Sequence, residues 1–235
     1  MARRRFDHSR AVIALGGVMA IVAVADLALG FPMATRFALR ASDLTEAWAT
    51  LQHTPGAPEA WRSIGTLWSY AFVHAGVEHI GFNLLYFWFF GSLLYEVAGD
   101  RWVLGGFLFT TATAGLAFVL RHHDVGRATV LGASGSVSGL AGLYVLLAFR
   151  WSAMPHASAW PLARPIPPIQ AALFALIGAA TDVYMLSEGD GVARDAHLGG
   201  FAGGLFLGML LTTFLPTWEQ FLRSKLGPSR LLGRR

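Results

Sequence analysis

Six runs of apolar residues, near 11–30, 80–97, 103–120, 134–150, 167–186 and 196–215, constrain this chain more than any motif in it. A hydrocarbon layer about 30 Å thick is crossed by roughly 17 to 25 residues of helix, which also satisfies its own backbone hydrogen bonds where no water can. Composition agrees: 54% of residues are hydrophobic, 14% are charged, and the mean hydropathy is +0.50. Ordinary soluble domains are more polar. The expected fold is an all-α polytopic membrane protein, a six-helix bundle over 11–215 with an outer loop at 31–78 and basic tails at 1–10 and 216–235.

The net charge of +4 does not point to nucleic acid, because the cations sit in tails and short loops and form no continuous basic face. They are read as topology signals. Cytoplasmic segments carry the excess of Lys and Arg, so the Arg-rich N-terminus is placed in the cytoplasm, and six crossings return the C-terminus there. That parity assigns Arg3, Arg4, Arg5, Arg10, Arg101, Arg150, Arg164, Arg223, Lys225, Arg230, Arg234 and Arg235 to the inside. Arg36, Arg40, Arg62, Arg121, Arg127 and Arg194 fall outside, so the 18 cations divide twelve to six. Trp102, Trp151, Trp160 and Trp218 fall at cytoplasmic helix ends, where interfacial aromatics are expected. The expected location is the cell (inner) membrane, with the bilayer as solvent. A secretory leader could also follow such an Arg cluster, but Asp26 and the length of the first run favour a retained helix. Cysteine is absent, which removes disulfides and thiolate metal sites.

Residues 31–78 make the one long connection, which is expected to be an ordered functional element or else a disordered linker, with Ser42 and Glu46 as a possible capping pair. Its aromatics Trp48, Trp61, Trp68, Tyr70 and Phe72 are expected to pack on the bilayer or the bundle. The Pro-rich stretch 151–166 reads as a stiff connector.

Polar groups inside apolar helices are costly, so each one raises a functional question. His79 and Asn83 lie in E-H-I-G-F-N, Ser134 in G-A-S-G-S-V-S-G, and His197 in D-A-H-L-G-G, at the starts of the second, fourth and sixth helices. Those helices all run from outside to inside, so their first turns meet at the outer side. Asn83 precedes Arg101 by 18 residues, Ser134 precedes Trp151 by 17, and His197 precedes Pro216 by 19. At 1.5 Å per residue these are depths of roughly 27, 26 and 28 Å, one level in the membrane. A hydroxyl and an imidazole at one level are the ingredients of a nucleophile and a general base. Ser134 also opens a helix, where free N–H groups and the positive dipole end can meet an oxyanion, and His79 and Asn83, one turn apart, can add donors.

Glycine permits the close approach this chemistry needs. Gly200, Gly204 and Gly208 repeat every four residues in the sixth helix, as Gly135 and Gly139 do in the fourth. Taken singly, each feature has a plainer reading. Such stripes serve packing, a serine in a membrane helix bonds its own backbone, His197 could be a packing group, and His79 with Asn83 could cap a helix. Their coincidence at one depth favours function. Asp195, two residues from His197, points elsewhere on a helix, so a Ser/His dyad without a third acid is expected. Asp182 is read as interfacial and without a role, and Arg62 and Glu96 as structural.

Together, G-A-S-G at Gly132 to Gly135, H-x-x-x-N at His79 to Asn83, A-H-x-x-G at Ala196 to Gly200 and the pair Trp61-Arg62 resemble the rhomboid family of intramembrane serine proteases. The stretch from Trp61 through His74 to Gly99 is similar to that family's first loop and second helix. The resemblance covers roughly residues 61–215. It implies Ser134 as nucleophile, His197 as base, and His79 and Asn83 with backbone N–H groups as oxyanion hole. It also implies membrane-protein substrates cut near the outer face of a transmembrane segment, and no metal or organic cofactor is implied. One departure stands out: many relatives stack an aromatic residue, four positions after the nucleophile, on the histidine, and this chain has Ser138 there. A catalytically silent member that binds or escorts membrane proteins is the alternative. A transporter is less consistent with polar groups at one level and no acid at mid-depth.

Overall fold

The computed structural model describes residues 9–30, 33–125, 128–151, 166–189, 191–215 and 220. Both basic tails, most of the 151–166 connector, Arg127, Arg164, Trp160 and Trp218 lie outside the described residues, apart from Ser9, Arg10 and Gln220. Each apolar run forms a helix: α1 (Arg10–Leu29), then beyond the long connection α5 (Val77–Ala98), α6 (Asp100–His122), α7 (Ser134–Arg150), α8 (Pro168–Tyr184) and α9 (Arg194–Phe214). Four of them, α1, α5, α6 and α9, are long and apolar enough to cross a membrane, whereas α7 and α8 have only 17 residues each.

From residue 33 onward the long connection is an ordered element and not a linker. It forms α2 (Met33–Phe37), β1 (Leu39–Arg40), α3 (Ala41–His53), α4 (Pro58–Ser69) and a 3-10 turn at Tyr70–Phe72. Tyr70 is buried and its hydroxyl donates to Thr111 O at 2.8 Å, while Trp48 and Trp61 remain exposed on the outer faces of α3 and α4. The expected capping pair is not formed. Arg40 is the residue before α3, and Ser42, already inside the helix, bonds Asp43. β1 pairs antiparallel with β2 (Thr129–Val130), Leu39 opposite Val130, which ties the long connection to the segment entering α7.

Asp100 joins two helix starts. It sits in the first turn of α6, where a carboxylate suits the helix dipole, and its Oδ1 accepts from Ser9 Oγ at 2.6 Å and Ala11 N at 3.1 Å. Ser9 in turn caps α1 through Val12 N. The first turns of α1 and α6 are therefore together at one end of the bundle. Gly99, at φ +91°, makes the turn from α5 into α6 in one residue, a conformation that disfavours any side chain.

Helix α7 runs through the centre, between α6 and α9, and small residues set its distances. A Cβ on Gly200 or Gly204 would collide with the carbonyl oxygens of Gly135 and Gly139, and one on Gly139 would strike Thr110. Backbones in contact bring the first turns of α7 and α9 together. The polar groups left between the helices pair with each other: Thr111 Oγ1 lies 2.6 Å from Ser136 Oγ, and Thr110 Oγ1 donates to backbone oxygens. Trp151, expected at the interface, is instead fully buried. Its Nε1 donates to Leu215 O at 3.0 Å, pinning the end of α7 to the end of α9.

Candidate active site

The chain enters α7 through Gly132, at φ +105°, whose N–H donates to Tyr70 O at 2.9 Å. Ala133 precedes the helix and Ser134 is its first residue, so the N–H groups of that first turn have no partner within the helix. His197 occupies the first turn of α9. With the two helices in glycine contact, His197 Nε2 stands 2.8 Å from Ser134 Oγ. The structure thus brings together two groups separated by 63 positions in sequence.

His197 Nδ1 lies 3.2 Å from both carboxylate oxygens of Asp182, in the last turn of α8. The expectation of a histidine without an acidic neighbour is corrected here, as is the reading of Asp182 as merely interfacial. Sequence distance hid the contact, because the α8–α9 connection folds the end of one helix over the start of the next. A signal was present, since Asp182 is the single acid in the run 167–186 and intramembrane acids warrant a functional question. Asp195 does point away, as expected: it accepts from Ala196 N and pairs with His122 Nε2 at 2.8 Å.

His79 and Asn83 open α5 on the opposite wall. His79 Nδ1 accepts from Ala75 N–H at 3.2 Å, which leaves the proton of the neutral ring on Nε2. Nε2 faces the Gly132 turn. Asn83 Nδ2 donates to His79 O at 2.8 Å and so keeps one further N–H, while its buried Oδ1 has no hydrogen-bond partner among the described residues. His74, which sequence reasoning singled out only within a longer stretch, is buried behind them. Its Nε2 faces Ala133 N–H at 3.4 Å, and its ring meets the His79 ring edge-on, with centroids 5.1 Å apart. Burial, then the charge of His79, push the His74 imidazole down to about 4, against a smaller opposing effect of the Phe72 backbone.

All four expected residues line one cavity of about 870 Å³. The rest of the lining is largely apolar, with Phe82 and Tyr86 from α5 and Phe174 and Ile177 from α8, beside the polar Thr129, Ser138, Thr181 and Asp182. Tyr86 stacks on Phe174 at 6.2 Å, so aromatic rings line the gap between α5 and α8. No group of three or more metal-ligating side chains occurs among the described residues.

Residues 57–214 match the family model described as Rhomboid domain. The chain is 29% identical over 154 residues to RHOMBOID-like protein 12, mitochondrial, of Arabidopsis thaliana, covering 58% of this chain and 43% of that one. It is 31% identical to Rhomboid-like protein 11, chloroplastic, of the same plant, covering 61% and 51%. It is 31% identical over 166 residues to Rhomboid protease GlpG of Klebsiella pneumoniae, covering 70% and 54%. The chain therefore belongs to the rhomboid family, and it is an integral membrane protein of the all-α rhomboid type. It spans about half the length of these relatives.

Proposed function

We propose that this chain is an intramembrane serine protease that cuts transmembrane segments of membrane-anchored proteins. The observation that carries the reading is the 2.8 Å approach of Ser134 Oγ to His197 Nε2, at a cavity with largely apolar walls. Ser134 Oγ attacks the scissile carbonyl carbon and its proton passes to His197 Nε2. The carbonyl oxygen becomes an oxyanion that meets His79 Nε2–H, Asn83 Nδ2–H and the free N–H groups of the α7 first turn. His197 then gives its proton to the leaving amine, and an acyl-Ser134 ester remains. Water attacks that ester as His197 takes its proton, and Ser134 recovers a proton as the acid departs. No cofactor enters these steps.

Kinship to a protein named a protease supports the activity, and the aromatic-lined gap between α5 and α8 suits an apolar helical substrate. All six apolar helices cross the bilayer in this reading, both termini face the cytoplasm and the site opens outward.

The test is reaction with a serine-directed fluorophosphonate together with cleavage of a model transmembrane substrate. Parent protein should label and cleave. Ser134→Ala and His197→Ala should each lose cleavage about as completely as the double variant, because the pair acts as one device. An unlabelled parent that still binds membrane proteins would favour a silent escort instead.

A further inference from the structure

An acid in the last turn of a helix faces the negative end of the helix dipole, and Asp182 holds that position in α8 within an otherwise apolar segment. Something must offset its cost. Two cationic or proton-donating groups of α9 stand before it: His197 Nδ1 at 3.2 Å from both oxygens, and the Nε of buried Arg194 at 4.0 Å from Oδ1. The imidazole is the closer partner and faces both oxygens, whereas the guanidinium contact lies at the outer limit of an ion pair. The side chains of Asp182 and His197 are 19% and 16% exposed, so water competes weakly for either.

We propose that Asp182 is the positioning residue of His197. A neutral imidazole exists as two tautomers, and only the one protonated on Nδ1 leaves the Nε2 lone pair free to accept the Ser134 proton. A carboxylate on Nδ1 selects that tautomer, fixes the ring and stabilises the imidazolium formed on attack. The need is specific to this chain: Ser138 lines the cavity beside His197, and among the described residues no aromatic ring stacks on that imidazole. Ring orientation therefore falls to α8. The inference rests on the reading of Ser134 and His197 as nucleophile and base.

The experiment uses the full chain, labelled with 15N-histidine in detergent, with the His197 signals assigned by their loss in His197→Gln. In the parent at neutral pH, the ring shifts should report the Nδ1–H tautomer, and in Asp182→Asn a mixture of both. With a model transmembrane substrate, kcat of Asp182→Asn should fall at least about tenfold, toward the roughly ten-thousandfold loss that follows a wrong tautomer in a Ser-His-Asp triad. KM and melting temperature should stay near parental values, and Asp182→Glu should recover part of kcat. A parent ring protonated on Nε2 overturns the proposal without any variant. So does an Asp182→Asn protein that keeps parental tautomer and kcat while melting lower, which would make Asp182 only a tie to Arg194. If cleavage survives Ser134→Ala, the proteolytic reading fails instead, while the tautomer of His197 remains readable.

Discussion

The Nε2 atom of His79 lies 2.6 Å from the point where a Cβ on Gly132 would stand. The turn entering α7 and the imidazole of α5 are thus in contact, with glycine required both by this space and by φ +105°. Asn83 Nδ2 stands 3.8 Å from the same point.

This contact predicts that His79 and Asn83 serve the transition state. Losing one oxyanion donor typically costs a hundredfold to a thousandfold in turnover, about 3 to 4 kcal/mol. His79→Ala and Asn83→Ala should lower kcat on that scale with near-parental KM, since the charge they meet exists only after attack. Variants that melt early but turn over normally when folded would make both residues helix caps.

Gly204→Ala should destabilise the bundle by about 1–3 kcal/mol, because its methyl would overlap Gly139 O and lie 2.7 Å from Leu143 N. Gly105→Ala, on α6 with open space around it, should melt at or slightly above the parental temperature. Thermal unfolding of the two variants side by side checks the pair. Equal melting would contradict the backbone contact of α7 with α9.

Much of this architecture is legible in the apolar runs, since α7 starts and stops where periodicity and the residues Ser134 and Arg150 place it. The meeting of Ser134 with His197 is legible too, because helix parity and depth gather first turns without knowledge of packing. What hydropathy cannot give is lateral neighbourhood. Asp182 and His74 reach the site from an α8 end and a loop, where no period relates side chains to a common face. Trp151 shows the same limit, as an interfacial position along the chain became a buried one once α9 closed over it.

His74 gives a pH dependence. An ordinary histidine titrates near 6.5, and His74 is held down to about 4. Between those values the unfolded chain binds a proton that the folded chain refuses, so this contribution to stability is complete above about 6.5 and declines as pH falls toward 4. The melting temperature of the parent should drop across that window, and that of His74→Gln should drop less. Parallel curves would remove His74 as the cause.

Orientation is open to labelling without background, since the chain lacks cysteine. In intact cells, Arg4→Cys and Arg230→Cys should resist an impermeant thiol reagent, while Gly56→Cys, in the turn between α3 and α4, should react. The reverse pattern would turn the site toward the cytoplasm.

The pairing of Leu39 with Val130 also orders events in time. The turn that aims Ser134 is stitched to a strand made long before it, and α5 and α6 must be synthesised and folded back before the stitch can close. His197 follows Ser134 by a further 63 residues. In the proposed reading, a chain emerging from the ribosome carries Ser134 without its base until α9 has been made and docks. If Ser134 and His197 act as proposed, the helix made last is the one that brings the base to the serine.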